Sequence, residues 1–265
     1  MSNAYHSSSK SSVVAHTIAS AALSRSLPAF VILPPGYAES QQRYPVLYLL
    51  HGWSGDHTNW VTLTNLLRYS AQYEMLIVTP TGENSWYVNS AMRAEDRFAD
   101  YVVQDLIASV ESTFRTIAAP HRRAIAGLSM GGYGAMLAAT LYPELFVVTG
   151  SISGAFDGPC GIEQVLPDLR ESTDAAFGAL DNPLRKQCDL RSTLSSADPA
   201  VLPYIYMACG TADSLLGSNR AIASVLSERS VRYEYHELSG AHDWGFWDAS
   251  LPNLLRVIAR FIAPD

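Results

Sequence analysis

The segment AIAGLSMGGYGAM, residues 124–136, constrains the fold of this chain more than any other. Its centre, Gly127-Leu-Ser129-Met-Gly131, has the G-x-S-x-G pattern of a serine on a sharp turn between a buried strand and a helix. Glycines fit that turn because it leaves no room for side chains two residues before and after the serine. The turn exposes the Ser129 hydroxyl and places the first helical N–H groups beside it, where they can stabilise negative charge.

The residues on either side of this motif support the same interpretation. Residues 121–126 become apolar, as a buried strand does, and residues 133–141 favour a helix that stops before Pro143. The competing interpretation is an ordinary glycine-rich turn with an uninvolved serine. A strand before the motif and a helix after it argue against that alternative.

Short apolar runs predict the remaining strands. Residues 44–50 form a continuous apolar run, which is typical of a strand buried on both faces of a sheet, and residues 75–80 predict another buried strand. Weaker patterns predict strands over 12–20, 27–33, 146–153, 204–209 and 232–238, the last an edge strand, and helices over 60–69, 98–114, 219–230 and 251–262. The alternation of strands and helices predicts an α/β fold with a mostly parallel central sheet and helices on both faces.

The chain is predicted to hold one domain, residues 12–265, preceded by a disordered polar tail, residues 1–11. Residues 157–200 are polar and irregular, and they separate two predicted strands. An insertion at that place passes over the sheet edge where Ser129 emerges, so we expect a small cap-like insertion there. Its length and its prolines argue against the large lid of a lipase, and we expect it to set substrate size together with the loop around Trp86 and Tyr87.

Charge and hydropathy exclude several kinds of partner. The net charge is −7, with 18 Lys and Arg against 25 Asp and Glu and no basic cluster, so neither nucleic acid nor an anionic membrane is expected. No stretch approaches the ~20 apolar residues of a membrane span. The N-terminus lacks a basic region followed by an apolar core, so we expect a cytoplasmic protein, with a processed secreted form as the alternative. The sequence leaves open whether the protein forms a homo-oligomer.

The three cysteines predict neither a disulfide framework nor a metal site. Cys209 lies in an apolar strand and reads as a core residue, whereas Cys160 and Cys188 would pair only in an exported protein. We favour free thiols. No Cys/His cluster has metal-ligand spacing, and we expect no cofactor and no metal.

A serine on such a turn needs a base to take its proton and an acid to orient that base. Two histidines follow Ser129. His242 lies in a loop between a strand and a helix, where catalytic groups of α/β sheets are found, whereas His236 lies inside a predicted strand. His242 is therefore the predicted base.

Asp213 is the predicted acid, because it comes directly after a buried strand and so lies at the same sheet edge as Ser129. The alternative role for Asp213 is a turn or helix-capping residue. Asp243 is adjacent to the base in sequence, but neighbouring side chains on an extended loop point apart, which makes it the weaker candidate.

Two backbone N–H groups are predicted to bind the oxyanion. One belongs to Met130, directly after the serine, and the other to Trp53, in the loop after the strand 44–50. Gly52 would let that loop approach a substrate closely. His51 precedes the serine and is expected to hold the loop by hydrogen bonds rather than act as a second base.

Five motifs, LLHGWSG at 49–55, NSWY at 84–87, GLSMGGYG at 127–134, CGTAD at 209–213 and GAHDW at 240–244, together resemble the putative esterase family of α/β-hydrolases. That family includes tributyrin esterases, S-formylglutathione hydrolases (esterase D), feruloyl and acetyl-xylan esterases, and mycolyltransferases. The resemblance covers the chain from about residue 13 to the end and is strongest to the small tributyrin-esterase branch. It implies the same nucleophile, acid, base and oxyanion donors as above. Leu128 and Tyr133 stand where the formylglutathione branch has histidines, which weakens that assignment.

The resulting hypothesis is a cofactor-independent serine carboxylesterase that hydrolyses short-chain or small aromatic esters. Trp53, Trp86, Tyr87 and Trp244 are predicted to line an aromatic substrate pocket, although each could instead be core. A formylglutathione-type thioesterase and a carbohydrate acetyl or feruloyl esterase are the enzymatic alternatives. A non-catalytic binding protein on the same fold is a more remote one.

Overall fold

The computed structural model describes residues 11–164 and 166–263, so the predicted tail lies outside the described residues except for Ser11. Within them, one sheet contains eight strands, which are β1 (Ser12–Ser20), β2 (Arg25–Leu33), β3 (Val46–Leu50), β4 (Leu76–Pro80), β5 (Arg123–Leu128), β6 (Val148–Ile152), β7 (Tyr204–Gly210) and β8 (Tyr233–Leu238). Each predicted strand is present, with ends shifted by a few residues.

The order of the strands is β1-β2-β4-β3-β5-β6-β7-β8. β1 and β2 form an antiparallel hairpin, and β2 also runs antiparallel to β4, whereas β4, β3 and β5 to β8 are parallel to one another. The sheet is therefore mostly parallel, as predicted, and β8 lies at its edge. Because β3, β5, β6 and β7 are parallel neighbours, the loops that follow them meet at one edge of the sheet.

The helices are α1 (Asn59–Thr62), α2 (Leu66–Ser70), α3 (Phe98–Asp100), α4 (Ile107–Thr113), α5 (Met130–Leu141), α6 (Arg170–Phe177), α7 (Pro183–Cys188), α8 (Leu190–Ser196), α9 (Leu216–Glu228) and α10 (Trp244–Ile262). A π-helical stretch, Tyr101–Leu106, joins α3 to α4, so the predicted helix over 98–114 is continuous.

Two helix predictions were wrong in detail. The predicted helix over 60–69 is broken into α1 and α2, because the Asp248 carboxylate accepts the backbone N–H of Asn65 at 2.7 Å and begins a new helix there. The last helix begins at Trp244 rather than 251, since the Asp243 side chain caps it by accepting the Phe246 N–H at 2.9 Å.

The core lies in two layers, one on each face of the sheet. Successive side chains of β3 alternate between the two layers. Val46, Tyr48 and Leu50 face one layer, and Leu47 and Leu49 face the other. The first layer packs against α4, α5, α8 and α9, and the second packs against α1, α2 and α10. Helices therefore cover both faces, as predicted.

The segment between β6 and β7 holds α6, α7 and α8 and three short 3₁₀ turns. Its interior is organised by Arg185, which is 4% exposed and lies 3.0 Å from a Glu163 carboxylate oxygen and 3.2 Å from one of Asp174. Arg185 also donates to the carbonyls of Gly178 and Ala179. A buried charge with this many partners holds the segment in one arrangement.

None of the helices in the described part of the chain is long and apolar enough to cross a membrane.

Candidate active site

The strand-turn-helix motif is built as predicted, with Ser129 between β5 and α5. Its backbone has φ 52° and ψ −119°, a conformation that is strained for a residue with a side chain. A Cβ added to Gly127 would lie 2.5 Å from the carbonyl carbon of Gly131, and one added to Gly131 would lie 2.4 Å from the carbonyl oxygen of His51. Both positions therefore require glycine for the turn to close.

The side chains of Ser129, His242 and Asp213 come together from three separate loops. The Ser129 Oγ lies 3.0 Å from Nε2 of His242. The other ring nitrogen, Nδ1, lies 2.9 Å and 3.1 Å from the two carboxylate oxygens of Asp213. With these partners, the serine hydroxyl donates to Nε2 and the Nδ1–H donates to the carboxylate, which fixes the tautomer that can accept a proton at Nε2.

Asp213 is buried at the end of β7, where it serves two purposes. Besides contacting His242, it accepts the backbone N–H of Leu215 at 2.8 Å, so the turn role considered from the sequence coexists with the contact to the histidine. Burial acts to raise the pKa of Asp213, but the hydrogen bonds from His242 and the Leu215 amide outweigh it and hold that pKa below its ordinary value. The carboxyl group is thus ionised at neutral pH.

The side chains of His236 and Asp243, the alternative candidates for base and acid, contact other residues. His236 is on β8, with its Nε2 3.0 Å from a Glu234 carboxylate oxygen. Asp243 accepts the Phe246 N–H as the cap of α10. Within the described residues, neither side chain forms a hydrogen bond to Ser129 or Asp213.

The two predicted oxyanion donors belong to segments that adjoin Ser129. A Cβ on Gly52 would be 3.4 Å from the Ser129 Cβ, so the chain of the β3 loop passes against the serine just before Trp53. Met130 follows Ser129 as the first residue of α5. Within the described residues, the N–H groups of Trp53 and Met130 have no acceptor. They are therefore free to bind an oxyanion there.

The loop that carries Trp53 is held from beneath by His51. The Nδ1–H of His51 donates to the Gly52 carbonyl at 2.7 Å, and its Nε2 accepts the Gly82 N–H at 2.8 Å. Burial lowers the pKa of His51 to about 4, so the ring is neutral and both nitrogens are occupied. His51 therefore anchors the loop, as expected.

A cleft of about 440 Å³ opens above Ser129 and His242, within the size range of small-molecule sites. Its walls are largely apolar and come from six regions: the β3–β4 connection, the loop at Trp86, the turn between β5 and α5, the segment between β6 and β7, the β7 loop and the start of α10. The apolar members are Trp53, Leu63, Trp86, Leu128, Met130, Ala155, Ile162, Leu166, Leu169, Leu215, Trp244 and Trp247. Trp53 and Trp244 thus lie where the pocket prediction placed them.

The prediction that Tyr87 lines the substrate pocket was wrong. Trp86 and Tyr87 both have φ 56°, which turns their rings inward, and Tyr87 is 3% exposed with its ring against Gly134. Trp86 is 1% exposed and packs on Gly158, so it forms only the back of the cleft wall. Because Gly134 and Gly158 have no side chains, they leave the space that the two rings occupy.

Two residues near the site were missed from the sequence. Trp247 lines the cleft with its ring edge-on to His242, the ring centres 5.0 Å apart. It lies one helical turn after Trp244, a spacing that would have revealed it had the last helix been predicted to begin earlier. Ser172 accepts hydrogen bonds from two tryptophans, and no local sequence signal marks it.

Cys160, Cys188 and Cys209 are free thiols, and the pairing of Cys160 with Cys188 does not occur. Across residues 11–164 and 166–263, no group of three or more His, Cys, Asp or Glu side chains is placed to hold a metal ion.

Comparisons with known proteins agree with this geometry. The putative esterase family matches residues 20–258. An acetyl esterase from Caldicellulosiruptor saccharolyticus is 30% identical over 81% of this chain and 83% of its own. An endo-1,4-beta-xylanase/feruloyl esterase from Xylanibacter ruminicola is 27% identical over 87% of this chain, which spans only 29% of that longer protein.

A fluorophosphonate-binding serine hydrolase from Staphylococcus aureus, solved with substrate bound, superimposes with a TM-score of 0.84 at 25% identity, over 94% of this chain and 98% of its own. This likeness and the strand order confirm the predicted α/β-hydrolase fold.

Proposed function

The chain belongs to the putative esterase family, and we propose that it hydrolyses short-chain or small aromatic carboxylic esters through an acyl-enzyme formed on Ser129. It is a serine hydrolase whose substrates are small-molecule esters. The observation that carries the proposal is the series of contacts from Asp213 through His242 to Ser129, at 2.9 Å and 3.0 Å.

In the first half of the proposed reaction, the Ser129 Oγ attacks the ester carbonyl carbon while Nε2 of His242 takes the hydroxyl proton. The carbonyl oxygen becomes negatively charged and accepts hydrogen bonds from the N–H groups of Trp53 and Met130. The carbon–oxygen bond to the alcohol then breaks, and His242 returns the proton to the departing alkoxide. An acyl group is left on Ser129.

In the second half, a water molecule replaces the alcohol. His242 takes a proton from the water as its oxygen attacks the acyl carbon, and the same two N–H groups bind the oxyanion. The bond to Ser129 then breaks, His242 returns the proton to the serine oxygen, and the carboxylic acid leaves. The Asp213 carboxylate holds the ring in position and stabilises the imidazolium formed in each half.

The substrate class follows from the cleft rather than from these three residues. A volume of about 440 Å³ with tryptophans at 53, 244 and 247 suits a short acyl chain or one aromatic ring. An acetyl or feruloyl ester of a carbohydrate is the second candidate, supported by the names of the two curated relatives. A formylglutathione thioester is the third, which rests on the family resemblance alone.

The test is a panel of p-nitrophenyl esters of increasing acyl length together with methyl ferulate and S-formylglutathione. Highest kcat/KM on the short p-nitrophenyl esters supports the proposal, and a clear preference for either of the other two reassigns the substrate. If none is hydrolysed, the result favours the alternative of a non-catalytic binding protein on the same fold.

The proposed nucleophile is tested separately. Ser129→Ala should lower kcat by about 10⁴- to 10⁶-fold, by analogy with other serine hydrolases, and should abolish labelling by a fluorophosphonate probe. Ser192→Ala, which removes a hydroxyl from α8, is the matched control and should still be labelled. Activity of Ser129→Ala within tenfold of the wild type, with unchanged labelling, would refute this assignment.

A cytoplasmic location is also proposed. Three free thiols support it, because unpaired cysteines are typical of reducing compartments.

A further inference from the structure

A second cavity, of about 360 Å³, adjoins the catalytic cleft at Trp53, which lines both. The indole N–H of Trp53 bonds Ser172, a lining residue of the second cavity, and this contact points to the indole as the boundary between the two. The second cavity has an apolar floor that includes Val88 and Phe98, both buried, and a rim of polar side chains from residues 83–96 and 168–172. Nothing in the proposed reaction uses this cavity.

Ser172, on α6 of the segment between β6 and β7, is the hydrogen-bond partner of the Trp53 side chain. Its Oγ accepts the indole N–H of Trp53 at 3.0 Å and that of Trp86 at 3.2 Å, and it donates to the Leu169 carbonyl at 3.0 Å. A hydroxyl has two acceptor positions and one proton, so this group is fully used. The contact joins the oxyanion loop to a segment 119 residues later in the chain.

The two indoles depend on Ser172 to different degrees. Trp86 is 1% exposed and is enclosed by the rings of Tyr133 and Phe177, with ring centres 5.9 Å and 5.6 Å away. Trp53 packs against the core but is only partly buried, and it makes no ring-to-ring contact within the described residues. Packing therefore encloses Trp86, whereas the less completely packed Trp53 depends more on its bond to Ser172.

We propose that Ser172 is a positioning residue that determines substrate size, because it holds the Trp53 indole as a partition between the catalytic cleft and the second cavity. When the hydroxyl is removed, the indole loses the one hydrogen bond that it makes to the described residues and can turn aside. The two cavities then join, and a substrate too long for the cleft gains a place to bury its far end. This inference rests on the proposed esterase function.

The charge of the second cavity restricts which long substrates benefit. Glu83 and Asp96 are paired with Arg25, at 3.0 Å and 2.8 Å, and Arg93, the cationic side chain in the lining, lies 3.6 Å from Asp96. Asp168 and Glu171, also on the rim, have no salt bridge to any residue that the structure describes. A group that enters this cavity meets uncompensated negative charge, so it should be uncharged rather than anionic.

The test compares kcat/KM for three neutral esters: ethyl butyrate as the reference, ethyl octanoate with a longer acyl group, and octyl butyrate with a longer alcohol. The value of kcat/KM for a long ester divided by that for ethyl butyrate does not depend on the fraction of active enzyme. Ser172→Ala should raise at least one ratio about tenfold, the usual scale for methylenes gained in an apolar pocket. The ester whose kcat/KM ratio rises shows whether the acyl side or the alcohol side reaches the second cavity.

Three variants control for a merely structural role of Ser172. Ser172→Thr keeps the hydroxyl and should retain the wild-type ratios. Ser196→Ala, which removes a hydroxyl bonded only to a helix carbonyl in α8, should also retain them. Trp53→Phe removes the indole N–H and keeps a ring, so it should shift the same ratio as Ser172→Ala.

The effect of charge is tested with an ester that carries a terminal carboxylate on the side whose lengthening raises kcat/KM in Ser172→Ala. This ester is monoethyl octanedioate for the acyl side or the butyrate ester of ω-hydroxyoctanoate for the alcohol side. With the charged ester, Ser172→Ala should not raise the ratio as it does with the neutral one. An equal gain would overturn the charge selection. If the wild type hydrolyses ethyl butyrate but Ser172→Ala leaves both ratios unchanged, or if Trp53→Phe does not reproduce the shift, the positioning role is refuted and the esterase function stands. No hydrolysis by the wild type would instead refute the proposed function.

Discussion

The phenol of Tyr87 donates a hydrogen bond to the backbone carbonyl of His51, with 3.0 Å between the two oxygens. Both residues are buried, and the carbonyl lies directly before Gly52, where the β3 loop passes Ser129. A Cβ on Gly131 would meet the same carbonyl oxygen at 2.4 Å. Tyr87 therefore supports the backbone on which both Trp53 and the turn at Ser129 depend.

Tyr87→Phe should lower kcat by about tenfold with a smaller change in KM, because a shifted loop moves the Trp53 N–H that binds the oxyanion in the transition state. It should also destabilise the fold by about 1–3 kcal/mol, since the His51 carbonyl is left without its donor. Tyr133→Phe is the matched control, because that phenol donates to the buried carbonyl of Cys188 in the same way. Steady-state kinetics and urea unfolding of both variants check this. Equal kcat values for the two would contradict the support of the oxyanion loop.

Asp213→Asn should reduce kcat by about 10² to 10⁴-fold, because an amide cannot stabilise the imidazolium and favours the wrong tautomer of His242. The low pKa of Asp213 means that the wild-type carboxylate is charged throughout the neutral range. Asp243→Asn is the comparison: its side chain caps α10, and an asparagine caps nearly as well, so kcat should fall by much less. A larger loss from Asp243→Asn than from Asp213→Asn would exchange the two assignments.

Acid should destabilise the protein through His51 between pH about 6.5 and about 4. In the fold the pKa of this imidazole is about 4, whereas a free histidine has 6.5, so in this range the unfolded chain binds a proton that the folded chain does not. Stability therefore falls as the pH falls, by up to about 3 kcal/mol from this group. Carboxylates with lowered pKa values, such as Asp213, act separately, mainly below pH about 4.

Urea unfolding at pH 7.5, 5.5 and 4.5 measures this loss. His51→Gln should be less stable than the wild type at high pH, yet it should lose less of its stability on acidification. His121→Gln changes an exposed histidine and should keep the wild-type slope. If His51→Gln loses as much stability as the wild type over this range, His51 is not the group responsible.

Short esters should be the best substrates, with acetyl to hexanoyl groups preferred. A cleft that holds four acyl carbons but not twelve forgoes burial of about eight methylenes, roughly 6 kcal/mol at 0.8 kcal/mol each. The partition at Trp53 and the apolar roof from Ile162, Leu166 and Leu169 set this limit in the structure. We expect kcat/KM for p-nitrophenyl butyrate to exceed that for the dodecanoate, and no rise in activity at an oil–water interface. The reverse order would show that the cleft is long.

Much of the fold could be predicted because it is encoded by patterns within single elements. β3 and β4 are buried at every position, and only Thr79 among their residues is polar, because a central parallel strand is buried on both faces. The ends of elements were less predictable. The split between α1 and α2 depends on Asp248, which lies 183 residues after Asn65 in the chain, and no window of local sequence contains both.

The proposed catalytic residues followed from the sequence for a related reason. A parallel sheet brings the loops after β5, β7 and β8 to one edge, so a serine, an aspartate and a histidine at the ends of those strands are expected to be near one another. Because the strand order brings these loops together, a prediction from sequence needs only to identify the reactive residue types in them.

The substrate-facing residues were decided by packing alone. Tyr87 and Trp86 lie in an aromatic loop that looks like a pocket lining, but left-handed backbone angles and the space beside Gly134 and Gly158 turn their rings inward, so that Tyr87 lies in the core and Trp86 contributes only to the cleft wall. Trp247 and Ser172 reach the site because α10 begins early and because α6 folds back over the oxyanion loop. The sequence by itself determined the sheet, the turn at Ser129 and the order of reactive groups, since these depend on local pattern and strand order. The tertiary structure alone decided which side chains wall the cleft, since that depends on which distant segments fill the same volume.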